Sequence, residues 1–240
     1  MLVKTKAIVI SVLKFQEKSL IVKCFTLSDG LKTYLVRNVF SSQKSKNIGT
    51  KIAYFQPLTL LEIEANHKNK GTLEHFKEVK LAIPFKTIST DIFKSTIAIF
   101  LSEVLHHAIK EEEKNENLFE YLETAFQWLD THNKVSNFHL IMLLEMSKYL
   151  GFYPDVSNRD LPYFEKTEGI FSIEEGSSCF TQHQTYLFNK LINLKLEDTS
   201  LSFSSEERQI VLNLLLDYYS FHLDGFKKPK SLNVFKEVFS

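Results

Sequence analysis

The sequence has almost no cysteine. Its two, Cys24 and Cys179, lie far apart in zones of different composition, so neither a disulfide framework nor a four-ligand zinc site can be assembled from them alone. A reducing cytosol is the compartment this favours. Long apolar runs are missing as well, with no stretch of about 18 apolar residues, so no membrane-spanning helix is expected. Lys4 and Lys6 precede a short apolar stretch, Ala7 to Leu13, that has no small-residue cleavage site, so no signal peptide is expected either.

Motifs of catalysis are lacking too. There is no glycine-rich phosphate loop, no nucleophile elbow and no His-Glu-x-x-His helix. The eight histidines are scattered, and the adjacent His106 and His107 project about 100° apart on a helix, too divergent to share one ion. Cys179 and His183 have a ligand-like spacing but no two further ligands nearby. The run Glu111 to Glu113 reads as a solvated helix end. No active site, metal or cofactor is therefore expected, and the weight falls on binding.

What is present is a charge asymmetry hidden by a net charge of zero. Residues 1–80 carry 14 Lys and Arg against 6 Asp and Glu, a net of +8, which leaves −8 for residues 81–240. Between Asp29 and Glu62 there is no acidic residue, while Lys32, Arg37, Lys44, Lys46 and Lys51 fall there. A polyanion partner for the first segment follows from such a field, the plainer reading being a solvated surface that balances the other half.

Periodicity divides the chain at nearly the same place. Val3 to Phe15, Ser19 to Leu27 and Gly30 to Val39 read as strands, with Ser28, Asp29 and Gly30 forming a tight turn. Leu58 to Ala65 and Leu73 to Val79 make a second hairpin. Five short strands suggest a small closed barrel, an OB-fold being the usual solution and an SH3-like barrel the alternative. Beyond residue 80 the period becomes helical. Ile97, Phe100, Leu101, Val104, Leu105 and Ala108 form one apolar stripe. Asn117, with Glu120 as capping-box partner, starts a second helix, and a third runs from about Asn137 to Leu150, closed by Gly151. Ser204 and Glu207 cap another. The expected fold is α+β, a five-stranded OB-fold barrel over 1–80 followed by an all-α domain over 81–240. The latter carries an irregular insertion at about 153–182, whose apolar piece, Ile170 to Ile173, suggests a small hairpin.

A sequence-tolerant single-strand site needs cations for phosphates and aromatics for bases. Ile21, Lys23 and Phe25 share one face of the second strand, and Lys32, Tyr34 and Val36 fall together on the third. A face mixing Lys23, Phe25, Lys32 and Tyr34 would serve, unless the aromatics pack inside the barrel. The loop cations Arg37, Lys44, Lys46 and Lys51 can reach phosphates whichever way the barrel turns.

Taken in order, these segments resemble the RecO family. The opening run Lys4 to Val9, then Glu17, Ser19, Ile21, Val22, Phe25, Thr26 and Gly30, is similar to its first strands, and Lys44, Ser45 and Lys46 stand in the place of its basic loop. Gln56 to Thr59, Leu61, Glu62 and Glu64 look like its next strand. Asn117 to Phe119, Leu143, Leu144, Leu150, Gly151 and Pro154 resemble its helical landmarks, and His222, Leu223, Gly225, Lys230 and Ser231 its C-terminal signature. The resemblance implies an OB-fold that binds single-stranded and double-stranded DNA, anneals complementary strands and works with RecR to load RecA onto DNA covered by single-strand-binding protein. It also implies that the helical domain docks the acidic C-terminal tail of that protein. Lys227, Lys228 and Lys230 are the candidate cationic rim for such a tail, with Lys134, Lys148 and Arg208 as further cations. Many members carry four zinc-binding cysteines in the insertion; here only Cys179 falls there, so no metal is expected. The basic loop is also thinner than usual, with Asn38, Val39 and Phe40 after Arg37. Two other readings stay open: a protein-binding adaptor with an OB-like module, and a nucleic-acid enzyme without a recognisable motif.

Overall fold

The computed structural model describes residues 1–37, 39, 52–68, 73–110, 114–198 and 203–239. Five strands, β1 (Leu2–Phe15), β2 (Ser19–Thr26), β3 (Gly30–Val36), β4 (Leu60–Asn66) and β5 (His75–Ile83), pair antiparallel in the order β3-β2-β1-β4-β5. The two edges then meet. The Leu35 N–H donates to the Glu74 carbonyl at 2.9 Å and the Glu74 N–H to the Thr33 carbonyl at 2.8 Å, a parallel bridge just ahead of β5. Closure hides both sheet edges and yields the five-stranded barrel of an OB-fold.

The barrel closes around alternating apolar residues. Ala7 and Val9 from β1, Leu20, Val22 and Cys24 from β2, Tyr34 and Val36 from β3, and Leu61, Ile63 and Ala65 from β4 form its core with Phe76. Phe55, from a 3₁₀ turn over Ile52–Phe55, stacks on Phe76 at 6.0 Å. Each large side chain so buried contributes ~1.5–3 kcal/mol relative to exposure. Gly30 makes the β2–β3 turn with φ +64°, a conformation that other residues reach only with strain.

Two helices follow the barrel, α1 (Ile92–Ala108) and α2 (Glu116–Thr131). Asp91 caps α1 by accepting from the N–H groups of Phe93 and Lys94 at 2.9 and 3.0 Å. The sequence places the start of α2 at Asn117. In the structure Asn117 lies inside the helix, and it is the Asn115 side chain that accepts from the Leu118 N–H, at 3.0 Å. Helix α1 packs on β1, Phe119 of α2 meets Phe25 at 5.8 Å, and Lys6 pairs with Glu123 at 2.8 Å. The chain accordingly separates into compact units Met1–Thr131 and His132–Ser240. The change from strand to helix near residue 80 is therefore a change of secondary structure within the first unit.

The second unit contains α3 (Phe138–Tyr149), a hairpin of β6 (Tyr163–Glu165) and β7 (Ile170–Ser172), α4 (Gln182–Ile192), α5 (Ser205–His222) and α6 (Leu232–Val238). Ser204 and Glu207 make the expected capping box on α5, and Gly151 ends α3 with φ +85°. Tyr218 and Tyr219 of α5 donate to the carbonyls of Phe152 and Leu143 at 2.8 and 2.6 Å, which ties α5 to α3 and the segment after it.

Candidate nucleic-acid interface

Strand register sorts the barrel residues into two faces. Because Leu20, Val22 and Cys24 point inward, their neighbours Ser19, Ile21, Lys23 and Phe25 point outward. A bulge between Val9 and Ser11 shifts the parity of β1, so that cross-strand rows form on the outer face. These rows are Phe15 and Ser19, with Arg37 directly after the end of β3; Leu13, Ile21 and Leu35; Ser11, Lys23 and Thr33; and, at the far end, Phe25 and Leu31. Phe25 and Leu31 are buried, whereas Arg37, Leu13 and Phe15 are exposed. The turn Gln16 to Lys18 borders this open end, with Gln16 at φ +55°. The Val39 N–H donates to the Lys18 carbonyl at 3.0 Å, so the chain leaves β3 beside that turn.

The expected mixed face of Lys23, Phe25, Lys32 and Tyr34 does not form. Lys32 lies opposite Cys24 and Tyr34 opposite Val22, which turns both toward the inside, while Lys23 and Phe25 point out. Lys32 retains 6% of its surface and Tyr34 none. The Tyr34 ring stacks on Phe76 at 4.0 Å, so no base can reach it. Phe25 is covered by Phe119, and Lys23 is half-buried, where desolvation lowers its pKa. Burial, with Lys23 and His107 adding, also holds His106 below the ordinary imidazole value. Arg37 stands exposed at the end of β3. Lys44, Lys46 and Lys51 lie outside the described residues.

The cations of the barrel differ in what they face. Lys4 and Lys77 both meet Glu64, Lys80 meets Glu78 at 2.8 Å, and Lys6 meets Glu123. Among the described residues neither Arg37 nor Lys18 has a carboxylate partner. Two cations without a carboxylate partner among the described residues, Arg37 and Lys18, thus stand at the open end of the sheet.

Comparison with known proteins gives this geometry its setting. Residues 1–85 match the family description Recombination protein O N terminal, and residues 89–232 match Recombination protein O C terminal. The chain belongs to the RecO family. The protein named DNA repair protein RecO from Flavobacterium johnsoniae is 66% identical over 240 residues, covering 100% of both chains. Proteins of the same name from Christiangramia forsetii and Porphyromonas gingivalis are 43% and 29% identical, again covering 100% of both chains. RecO membership places the chain in bacterial DNA repair and recombination.

Within this RecO chain the insertion is held by aromatic packing. Phe164 of β6 contacts Phe171, Phe180, Phe188 and Tyr218 with ring centroids 4.6–5.7 Å apart. Cys179 lies beside this cluster, where its thiol contacts the Glu174 carbonyl at 3.7 Å. Among the described residues no three His, Cys, Asp or Glu side chains are grouped to hold a metal ion, and no helix is long and apolar enough to cross a membrane. Lys227, Lys228 and Lys230 are all exposed, with the buried Pro229 between them, and Lys228 pairs with Asp217 at 2.6 Å.

Leu13, Phe15 and Lys18 were not singled out by the sequence. A signal did exist in Phe15 directly preceding the polar break Gln16, Glu17, Lys18. The outward turn of these residues depends on the bulge, which alternation alone does not reveal.

Proposed function

We propose that this RecO chain is a non-catalytic mediator of recombinational repair. It binds single-stranded and double-stranded DNA, anneals complementary strands and, together with RecR, helps load RecA onto DNA coated by single-strand-binding protein. Such work belongs to the bacterial cytoplasm, at the nucleoid. The observation that carries the reading is Arg37 and Lys18, without a carboxylate partner among the described residues, at the open end of an OB barrel, directly before a stretch that supplies Lys44, Lys46 and Lys51 with no acidic residue. Half-buried Lys23 lies on the same outer face. Polyanion binding draws on such charge through counterion release.

Among the described residues of the barrel, one relay-like arrangement is closed to substrate. Tyr34, His67 and Asp29 are hydrogen-bonded in series, yet the Tyr34 hydroxyl is shut inside the core, where no substrate can approach. No cofactor is invoked.

The exposed Lys227, Lys228 and Lys230 are proposed to receive the acidic C-terminal tail of single-strand-binding protein. Reversing all three charges should weaken tail-peptide binding, and unchanged affinity would remove the assignment.

The direct test compares annealing of complementary oligonucleotides by the intact chain and by a variant with Lys44→Glu, Lys46→Glu and Lys51→Glu. The variant should anneal at least about tenfold more slowly at low salt. Equal rates would place the activity elsewhere, and an intact chain that binds no oligonucleotide would favour the protein-binding adaptor.

A further inference from the structure

The outer face of β1, β2 and β3 is covered at one end and open at the other. Where Phe119 packs, Phe25 is sealed. At the opposite end Leu13 is 64% and Phe15 36% exposed, Arg37 is exposed just past the end of β3, and Ile21 and Leu35 are half-buried in one row with Leu13, while Ser19 opposite Phe15 is buried. Phe15, Lys18, Leu35 and Arg37 line a recess of ≈ 570 Å³. Isolated exposed apolar side chains need no explanation, but a continuous strip of them set among cations does.

We propose that this strip is a platform for unpaired bases, on which a base stacks against Phe15 with Leu13 beside it while Arg37 and Lys18 hold the adjoining phosphates. The inference rests on the DNA-binding reading above and adds to it the means of telling single strands from duplex. Charge decides the occupant. Lys18, Lys23 and Arg37 border the strip, Glu17 lines the same recess, and among the described residues neither Arg37 nor Lys18 has a carboxylate ion-pair partner, which suits a polyanion better than an apolar protein face. Aromatic rings give stacking energy to any base because every base has a π-face. In a duplex those faces are already stacked, so Phe15 adds nothing there and only the cations act.

The test uses the full-length chain. Phe15→Ala should weaken binding of a single-stranded oligonucleotide about tenfold, leave duplex affinity within about twofold, and leave the dependence of log affinity on log salt unchanged, because no cation is lost. Phe15→Trp should keep wild-type affinity. Its added emission, taken over that of the one native tryptophan, Trp128, should be quenched by the single strand and not by duplex. Wild-type single-strand affinity in Phe15→Ala, equal losses on single strand and duplex, or unquenched added emission in Phe15→Trp would each overturn the platform while leaving DNA binding itself in place. A concentration-dependent dimer lost in Phe15→Ala with DNA affinity unchanged would instead make the strip a self-association surface. Failure of the unaltered chain to bind any single strand would be a different result, one that removes the DNA-binding reading underneath.

Discussion

The hydroxyl of Tyr34 is hydrogen-bonded to Nε2 of His67 at 2.8 Å inside the barrel, and Nδ1 of the same ring meets Asp29 at 3.0 Å. The series joins the β2–β3 turn to the end of β4 through the core, and it fixes the side of β3 that faces inward. Tyr34→Phe removes the hydroxyl and leaves a buried imidazole nitrogen without its partner. The expected cost is ~1–3 kcal/mol in chemical denaturation. Single-strand affinity measured under folding conditions should stay unchanged, since the ring is out of reach of any base.

Asp130 makes a second lock within the first unit. Its carboxylate accepts from the backbone N–H groups of Lys86, Thr87 and Ile88 at 3.0, 2.7 and 3.1 Å, while the buried Lys94 ammonium donates to the Asp130 carbonyl and to Thr87. Burial alone would raise the carboxyl pKa, yet these donors outweigh it and hold the group below the ordinary value. Asp130→Ala should cost about 2–4 kcal/mol by equilibrium unfolding, because three amides lose their acceptor.

In the proposed DNA-binding role Arg37, exposed and without a carboxylate partner among the described residues, contacts a phosphate. Arg37→Ala should weaken single-strand and duplex binding alike and make the slope of log affinity against log salt less steep by about 0.7–0.9, one phosphate contact. Fluorescence anisotropy over a salt series reads both effects. A change in affinity with no change in slope would mean that Arg37 touches no phosphate.

His139 of α3 predicts a pH dependence in the second unit. Burial, reinforced by Arg208, lowers its pKa to about 3, and its ring lies 4.6 Å from Phe235. The folded chain therefore keeps His139 neutral where the unfolded chain takes up a proton. Its contribution is complete above pH ~6.5 and is lost as pH falls from there toward about 3, with a slope of up to ~1.4 kcal/mol per unit. Denaturant midpoints measured between pH 7 and 4 should fall, and His139→Leu should flatten that fall.

Much of this architecture is legible in the residues, because local rules govern it. The strand alternation, the Gly30 turn, the Ser204 and Glu207 capping box and the Gly151 terminus each follow from neighbours within a few positions. The candidate interface depends on pairings between strands. Alternation groups Lys32 with Tyr34, but only their register against Cys24 and Val22 turns the pair inward. The bulge at Val9 and Ser11 likewise decides that Leu13 and Phe15 face out. Asn115 and Asn117 are equally good capping residues by type, and the choice between them rests on which side chain reaches the Leu118 N–H. Helix α6 is short, so its periodic signal is weak; it is held by contacts such as that of Phe235 with His139.

The most direct measurement is titration of a labelled single-stranded oligonucleotide with the unaltered chain across a range of salt. Neutralising about five phosphates should make log affinity fall with log salt at a slope of roughly −3 to −4. A salt-insensitive complex, or no complex at low salt, would contradict the account.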